Sequence, residues 1–327
     1  MAPERKDITE PSAAMQLWEL TQPNDPRYAA LYLELLQKTV EIPKYKRFEN
    51  PFLRPKKSGG SRKIVPAAEP LRTVQYFLSG WIRNNLPQGK DYCYTGHGVK
   101  AALEAHRQNS YALVCDLKDA FDQITAEKIN NWFGFYKPQL KGEPMNLMVD
   151  LLTFEGRAPQ GCVSTAYAYN VVVSEMDHHL GIMAPQLGVD NWTRYSDNLC
   201  FSAKGEFDIE VLEAQVKRVV KGFGFQLSWA KPYAGNIEYL GAAIEDGKIR
   251  ITDDKAGEFL DRIYQMLESD EPRSHFYRAL GILNWAKNIS GPNVHEQLLT
   301  ALDTYFRNIG RPSTVEKIMG TAYGRML

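Results

Sequence analysis

Apolar residues recur at helical spacing over residues 28–40 (YAALYLELLQKTV), just after Pro26, and again over 70–81 (PLRTVQYFLSGW). Shorter helices are predicted at 99–107, from Thr125 to about 135, and at 145–154. Residues 165–180, rich in Ala, Tyr and Val, predict a long helix closed by His178 and His179, where cations suit the negative end of the helix dipole. An amphipathic helix is predicted at 207–220, ending at Gly222. From Asp254 onward the pattern is helical throughout, at 256–267, 274–288 and 294–307, punctuated at 269–272 and at Gly291-Pro292.

Between the helices the pattern changes to that of strands. Residues 51–66 read as two short strands joined by a basic turn at Gly59-Gly60, and residues 111–116 (YALVCD) as an apolar strand ending on Asp116. Residues 192–202 (WTRYSDNLCFS) read as a hairpin turning at Ser196-Asp197-Asn198. A strand is expected at 223–229, followed by Lys231-Pro232. Residues 237–243 and 248–251 suggest a small hairpin turning at Glu245-Asp246-Gly247. Residues 92–98 read as loop. This order predicts a mixed α/β layer followed by a helical domain, with a composition shift near 252.

The chain of 327 residues has room for one large or two to three small domains. Its 39 basic residues balance 39 acidic ones. It therefore lacks the overall positive field of many nucleic-acid binders, and local charge matters more. Residues 54–63 (RPKKSGGSRK) are such a local run. Charge at a hairpin turn is often merely solvated, but flexible glycines beside Arg62 and Lys63 also suit closure over a triphosphate. The four cysteines have no CxxC spacing, which argues against a disulfide framework or a thiolate zinc site, and Cys115 and Cys200 read as small buried hydrophobes. His97 and His106 have no partners at metal-ligand spacing and read as packing residues. No apolar run reaches membrane-span length and the N-terminus has no signal-peptide core, so a cytoplasmic protein with no membrane partner is expected.

An Asp at the end of a buried strand is a poor core residue and a good ligand for a hard cation. Asp197 alone would be read equally as a turn residue capping its own backbone. Asp116 supplies a second carboxylate. Brought together, the two would repel unless a divalent cation lay between them, and Mg²⁺ bridges such carboxylates to phosphates. The residues by themselves thus permit a nucleotidyl-transfer site. Asp119 and Asp122 rank lower, because they lie past the strand where caps can satisfy them. Phe121 reads either as core or as the floor of a sugar pocket. Gln160, in the turn at 156–164, reads either as a cap or as a contact to a base or template strand.

Over residues 50–290 the chain resembles bacterial reverse transcriptases of the retron and group II intron type. Asp116-Leu-Lys-Asp-Ala-Phe121-Asp122 resembles the first palm motif, Ala158-Pro-Gln-Gly161 with Ser164 the second, and Tyr195-Ser-Asp-Asn198 the Tyr-x-Asp-Asp motif. Gly222-Phe-Gly-Phe225 followed by Lys231 resembles the fourth motif, Glu238-Tyr-Leu-Gly241 the primer grip, and Arg62-Lys-Ile64 the fingertip strands. The resemblance implies an α+β right-hand polymerase fold: an N-terminal helical segment (1–50), fingers (51–110), a palm with an antiparallel sheet and part of the fingers (111–252), and a helical thumb (253–327). It implies RNA-directed DNA polymerase activity with Mg²⁺, or Mn²⁺ in its place. Asp116, the Leu117 carbonyl, Asp197 and Asn198 would hold two metals. Phe121 would exclude a 2′-hydroxyl, Arg62 and Lys63 would meet the β- and γ-phosphates, Gln160 and Gly161 would line the nascent-pair pocket, and Lys231 would protonate pyrophosphate. The implied partners are an RNA template, a DNA or RNA primer, deoxynucleotides and a cognate structured non-coding RNA of a retron or antiviral defence system.

Two positions depart from the family pattern. Asn198 replaces the second acid of the pair, and Thr165 replaces a proline after Ser164. Asn198 keeps two alternatives open: a palm-fold polymerase with template-independent or RNA-synthesising activity, and a silenced relative that only binds nucleic acid.

Overall fold

The computed structural model describes residues 12–56, 59–93, 97–290 and 296–319. In chain order the elements are α1 (Ala13–Thr21), α2 (Ala29–Glu41), β1 (Phe52–Pro55), β2 (Ser61–Ile64), α3 (Leu71–Asn85), α4 (Gly98–Glu104), β3 (Tyr111–Leu117), α5 (Ala126–Tyr136), α6 (Glu143–Leu152), α7 (Thr165–Gln186), β4 (Asn191–Tyr195) and β5 (Asn198–Ala203). Then follow α8 (Ile209–Gly222), β6 (Leu227–Ala234), β7 (Ile237–Tyr239), β8 (Ala242–Glu245), β9 (Lys248–Ile251), α9 (Asp253–Leu267), α10 (Phe276–Ser290), α11 (Glu296–Asn308) and α12 (Thr314–Met319). The helix starts follow local chemistry. Thr125 caps α5 by accepting from the Lys128 amide, and Thr252 caps α9 by accepting from Lys255. Parts of the expected loop at 92–98, the start of the expected helix at 294 and the Gly291-Pro292 punctuation lie outside the described residues.

Three expectations about the elements are corrected. His178 and His179 do not close α7, which continues to Gln186 and places both on its exposed surface. The strand expected at 223–229 begins only at Leu227 and runs through Lys231 and Pro232. Phe223 and Phe225 belong instead to the helix stop: Gly224 takes φ 71° and the Phe225 amide bonds the Val220 carbonyl, which closes the last turn of α8. Residues 237–243 are two strands, because Leu240 (φ 53°) and Gly241 (φ 77°) form a two-residue turn between β7 and β8. Leucine is no turn signal, so the pattern read straight through it. α1 and α12 fall within the N-terminal segment and the C-terminal stretch expected to be helical.

The chain forms two compact units. The first comprises Met1–Tyr94, Leu117–Leu180 and Arg218–Gln226. Its core is helical, with α1 packed on α2 and α6, and α3 on α2 and α6. Leu17, Tyr32, Leu36, Leu78 and Leu151 are fully buried there. Two buried polar contacts tie this core: Tyr32 Oη lies 2.8 Å from Thr21 Oγ1, and Gln75 Nε2 donates to the Leu151 carbonyl at 2.9 Å, while Gln75 Oε1 is buried without a hydrogen-bond partner. The antiparallel pair β1–β2 carries the basic run.

The second unit comprises Thr95–Asp116, Gly181–Lys217 and Leu227–Leu327. It holds a four-stranded sheet of order β4-β5-β3-β6, a three-stranded meander β7-β8-β9, and helices α9 to α12. Cys115 and Cys200 are fully buried in the first sheet, as small hydrophobes should be. His106 is likewise a core residue, with its ring nitrogens 2.6 Å from Ser202 Oγ and 2.8 Å from Thr193 Oγ1.

Candidate active site

The second unit carries the carboxylates. β3 pairs antiparallel with β5 and sets Asp116 opposite Asn198, while β4 pairs with β5 and sets Tyr195 opposite Asn198. The turn is therefore Ser196-Asp197 alone, and Asn198 is already in strand. Ser196 takes φ 56°, the positive angle that a primed two-residue turn needs at its first position. Asp197 thus follows directly from register: it is the neighbour of the residue that faces Asp116. Asp116, Asp197 and Asn198 are all half-buried. Asn198 Nδ2 donates to Asp197 Oδ1 at 3.1 Å, so the amide occupies one lone pair of that carboxylate where a second acid would repel it. Tyr239 Oη donates to the Asn198 carbonyl at 3.4 Å.

Two supporting residues have no counterpart among the sequence expectations. Ser228, the second residue of β6, donates to Asp116 Oδ2 at 2.5 Å and lies 3.3 Å from the Asp116 carbonyl. Arg194 is fully buried beneath the turn, and its Nη1 donates to the Ser196 carbonyl at 3.1 Å. The signal for Arg194 was present in the sequence as a charge inside an apolar strand. Ser228 carried no such signal, since a serine in a strand is ordinary.

Lys231 is exposed, 3.7 Å from the Glu238 carboxylate and 4.8 Å from the Tyr233 ring centre. The Tyr233 phenol first, and Glu238 after it, hold its ammonium above the ordinary lysine value. It is therefore a charged ammonium at neutral pH.

The first unit carries the remaining candidates. Phe121 is half-buried with its ring centre 5.0 Å from that of Tyr169 on α7. Asp119, at φ 43°, pairs with Lys56 at 2.6 Å rather than capping a helix, and that ammonium holds its carboxyl below the usual range. Arg62 is exposed on β2, and Lys63 pairs with Glu155 at 2.7 Å. The turn at 158–161 meets the end of β2: the Val65 amide donates to the Gln160 carbonyl at 2.7 Å, and Cys162 Sγ to the Val65 carbonyl at 3.3 Å. Gly161, at φ 108°, is required by this approach, because a Cβ there would lie 2.8 Å from Ile64 Cγ2. Gly161→Ala is expected to lose about 1–3 kcal/mol through backbone strain and overpacking. The urea unfolding midpoint checks this against Gly80→Ala, whose new Cβ meets nothing within 4 Å.

The donor set suits a hard cation. Two carboxylates, an amide and main-chain carbonyls at one end of a sheet are oxygen ligands of the type that Mg²⁺ and Mn²⁺ take. Among the described residues no group of three or more His, Cys, Asp or Glu side chains is placed to hold a metal. A cation here would therefore draw part of its shell from water or substrate oxygens, as Mg²⁺ commonly does.

All six motif segments lie between Arg62 and Gly241. A profile described as reverse transcriptase (RNA-dependent DNA polymerase) matches residues 54–244, more than half of the chain. The chain belongs to the reverse transcriptase family. The retron Mx65 reverse transcriptase of Myxococcus xanthus is 23% identical over 270 residues, covering 76% of this chain and 62% of that protein. The chain thus spans less than two thirds of that relative's length. Among solved structures, an in situ RNA-dependent RNA polymerase of BmCPV aligns with 95% of this chain and 30% of its own, at 9% identity and a TM-score of 0.50. A telomerase from Candida albicans aligns over 89% of this chain and 60% of its own, at 12% identity and a TM-score of 0.47. The mixed α/β fold is of the polymerase type. Among the described residues, no helix is long and apolar enough to cross a membrane.

Proposed function

We propose that this protein is an RNA-directed DNA polymerase that adds deoxynucleotides to a primer 3′ end on an RNA template. One observation carries the reading: within a reverse transcriptase domain, the strand register sets Asp116 opposite the residue next to Asp197. On this reading residues 51–110 are fingers, 111–252 palm with part of the fingers, and 253–327 thumb, behind an N-terminal helical segment at 1–50. The protein works in the cytoplasm on a cognate structured RNA.

Asp116 and Asp197 would hold two divalent ions, with the Leu117 carbonyl and the Asn198 amide oxygen as neutral donors. Bound there, the ions would activate the primer 3′-oxygen and neutralise the departing pyrophosphate. Asn198 adds no charge, so the site depends on two acids alone. Ser228 holds the Asp116 carboxylate in one orientation before any ligand arrives. Arg62 and Lys63 neutralise the β- and γ-phosphates, and Lys63 must exchange Glu155 for them. Gln160 and Gly161 present backbone to the nascent pair. Lys231 would donate a proton to pyrophosphate, and the contacts to Tyr233 and Glu238 that hold its proton more tightly would have to give way first.

Primer extension with deoxynucleotides and Mg²⁺ or Mn²⁺, on RNA and DNA templates, tests the reading. Absence of any incorporation with every template, primer and metal would sink it. Phe121 is assigned to the sugar gate. Phe121→Ala is expected to lower discrimination against ribonucleotides by about 10- to 100-fold, the selectivity that loss of one steric contact typically costs. Unchanged discrimination in an active enzyme refutes the gate. Ser228→Ala is expected to raise the Mg²⁺ concentration for half-maximal extension about tenfold, in line with the loss of an outer hydrogen bond to a metal ligand. Saturating Mg²⁺ should recover most of the rate and Ser228→Thr should behave as wild type, whereas a metal-independent rate loss would mean that Ser228 only supports the sheet.

A further inference from the structure

The helical part of the second unit contains a cleft that the polymerase motifs do not use. Arg273, Phe276, Tyr277, Ile309, Gly310 and Arg311 line a hollow of about 430 Å³ between the start of α10 and the end of α11. Tyr277 is 82% exposed, the highest value among the exposed large hydrophobic side chains of the described residues. Phe276 braces it from the side, its ring centre 5.2 Å from Tyr277 and 6.0 Å from Phe306. The Arg311 guanidinium carbon lies 5.9 Å from the Phe276 ring centre. Gly310, at φ 78°, leaves the floor open, since a Cβ there would meet nothing within 4 Å.

The charges are informative. Among the described residues, neither Arg273 nor Arg311 forms an ion pair, whereas Arg307, one turn earlier on α11, is bonded to Asp303. Asp270 and Glu271 line the adjoining hollow of about 440 Å³, which also borders Arg273 and Ile309. An anion is therefore repelled from that side and directed to the Arg311 side. An apolar partner seated on Tyr277 would strip water from two guanidiniums that have no direct ion-pair partner among the described residues, at a heavy desolvation cost. A strand that places a base on the ring and phosphates on the guanidiniums satisfies both features together.

We propose that Tyr277, Arg273 and Arg311 form a binding site for an unpaired nucleotide of single-stranded nucleic acid. The base stacks on Tyr277 and the flanking phosphates meet the two arginines. A base-paired duplex is excluded from the stacking contact because its base faces are already covered. The proposal rests on the reading of this chain as a polymerase of nucleic acids.

The test is fluorescence anisotropy of the full chain with three labelled probes: a 12-nucleotide oligouridine, a 12-nucleotide oligothymidine and a hairpin duplex whose loop is a non-nucleotide glycol linker. Tyr277→Ala is expected to weaken single-strand binding about tenfold, within the range that one stacked base contributes. Tyr277→Phe should stay within twofold of wild type. The Arg273→Gln/Arg311→Gln double variant should weaken the single strands and lower the log–log salt slope by about 1.4, as the loss of two phosphate contacts requires. Hairpin affinity should change less than threefold. The two single-stranded probes separate RNA from DNA as the source of the strand. In the wild-type chain, 4-thiouridine in the oligouridine should crosslink to the peptide containing Tyr277, a readout independent of how any variant folds. Wild-type affinity in Tyr277→Ala, an equal loss for the hairpin, or crosslinks confined to other peptides would overturn the proposal. Binding of a 12-residue polyglutamate lost in the double variant, with oligonucleotide binding intact, would overturn it in favour of an acidic protein partner. Primer extension remains the separate test of polymerase activity: crosslinking at Tyr277 in a chain that extends no primer would leave this site standing and sink the catalytic reading.

Discussion

Asp197→Ala is expected to lower DNA synthesis on a primed RNA template by at least about 10³-fold, equivalent to about 4 kcal/mol of lost transition-state stabilisation. The size follows from the charge balance of the site. Where a pair of acids would stand, Asn198 contributes a neutral amide, so Asp197 is the only carboxylate on the turn. Its removal leaves Asp116 as the one acid of the pair across the ladder, and a hard cation held by a single carboxylate loses much of its affinity. The fold should tolerate the change. Asp197 occupies the second position of a two-residue turn, and the positive φ belongs to Ser196. The unfolding midpoint should therefore stay close to that of wild type while activity collapses, a separation read by primer extension beside urea unfolding. Extension within tenfold of wild type would remove Asp197 from the metal site.

Arg194→Ala is expected to have the largest effect on stability, about 3–5 kcal/mol, because it removes a large fully buried side chain and leaves a cavity. It also strips the Ser196 carbonyl of its donor, a buried acceptor whose loss of partner costs about 1–3 kcal/mol on its own. The damage should reach the site, since that carbonyl belongs to the turn that presents Asp197. Urea unfolding should show a lower midpoint, and the surviving folded fraction should require more Mg²⁺ for extension. Arg194→Lys should recover little, because a lysine lacks the planar fork of guanidinium donors. An unfolding free energy within about 1 kcal/mol of wild type would show that Arg194 does not support the turn.

The site was legible where chemistry is local. An apolar run ending on Asp116, a hairpin with an acid at its tip and a glycine pair among basic residues are each visible within a dozen residues, because strand period, turn chemistry and charge are short-range properties. The misreadings have identifiable causes. The run at 237–243 is continuous in hydrophobicity, yet Leu240 turns with φ 53°, a conformation forced by the tertiary pairing of β7 with β8. Phe223 and Phe225 look like strand residues, but the αL stop at Gly224 makes them the end of α8. His178 and His179 resemble a helix end only because cations favour that position.

The amino-acid sequence by itself determined which acids are available, most of the helix–strand order and the family to which the chain belongs. Only the tertiary structure decided which residues those acids meet. The antiparallel register of β3 and β5 sets Asp116 opposite Asn198 across more than 80 residues of intervening chain. The pairing of β6 beside β3 brings Ser228 to the Asp116 carboxylate, and burial under the turn turns Arg194 into a support for Ser196. These contacts arise from register and packing, which depend on the whole sheet burying its apolar face at once. No window of sequence contains that information, and it distinguishes a turn with one acid from a turn held beside a second acid.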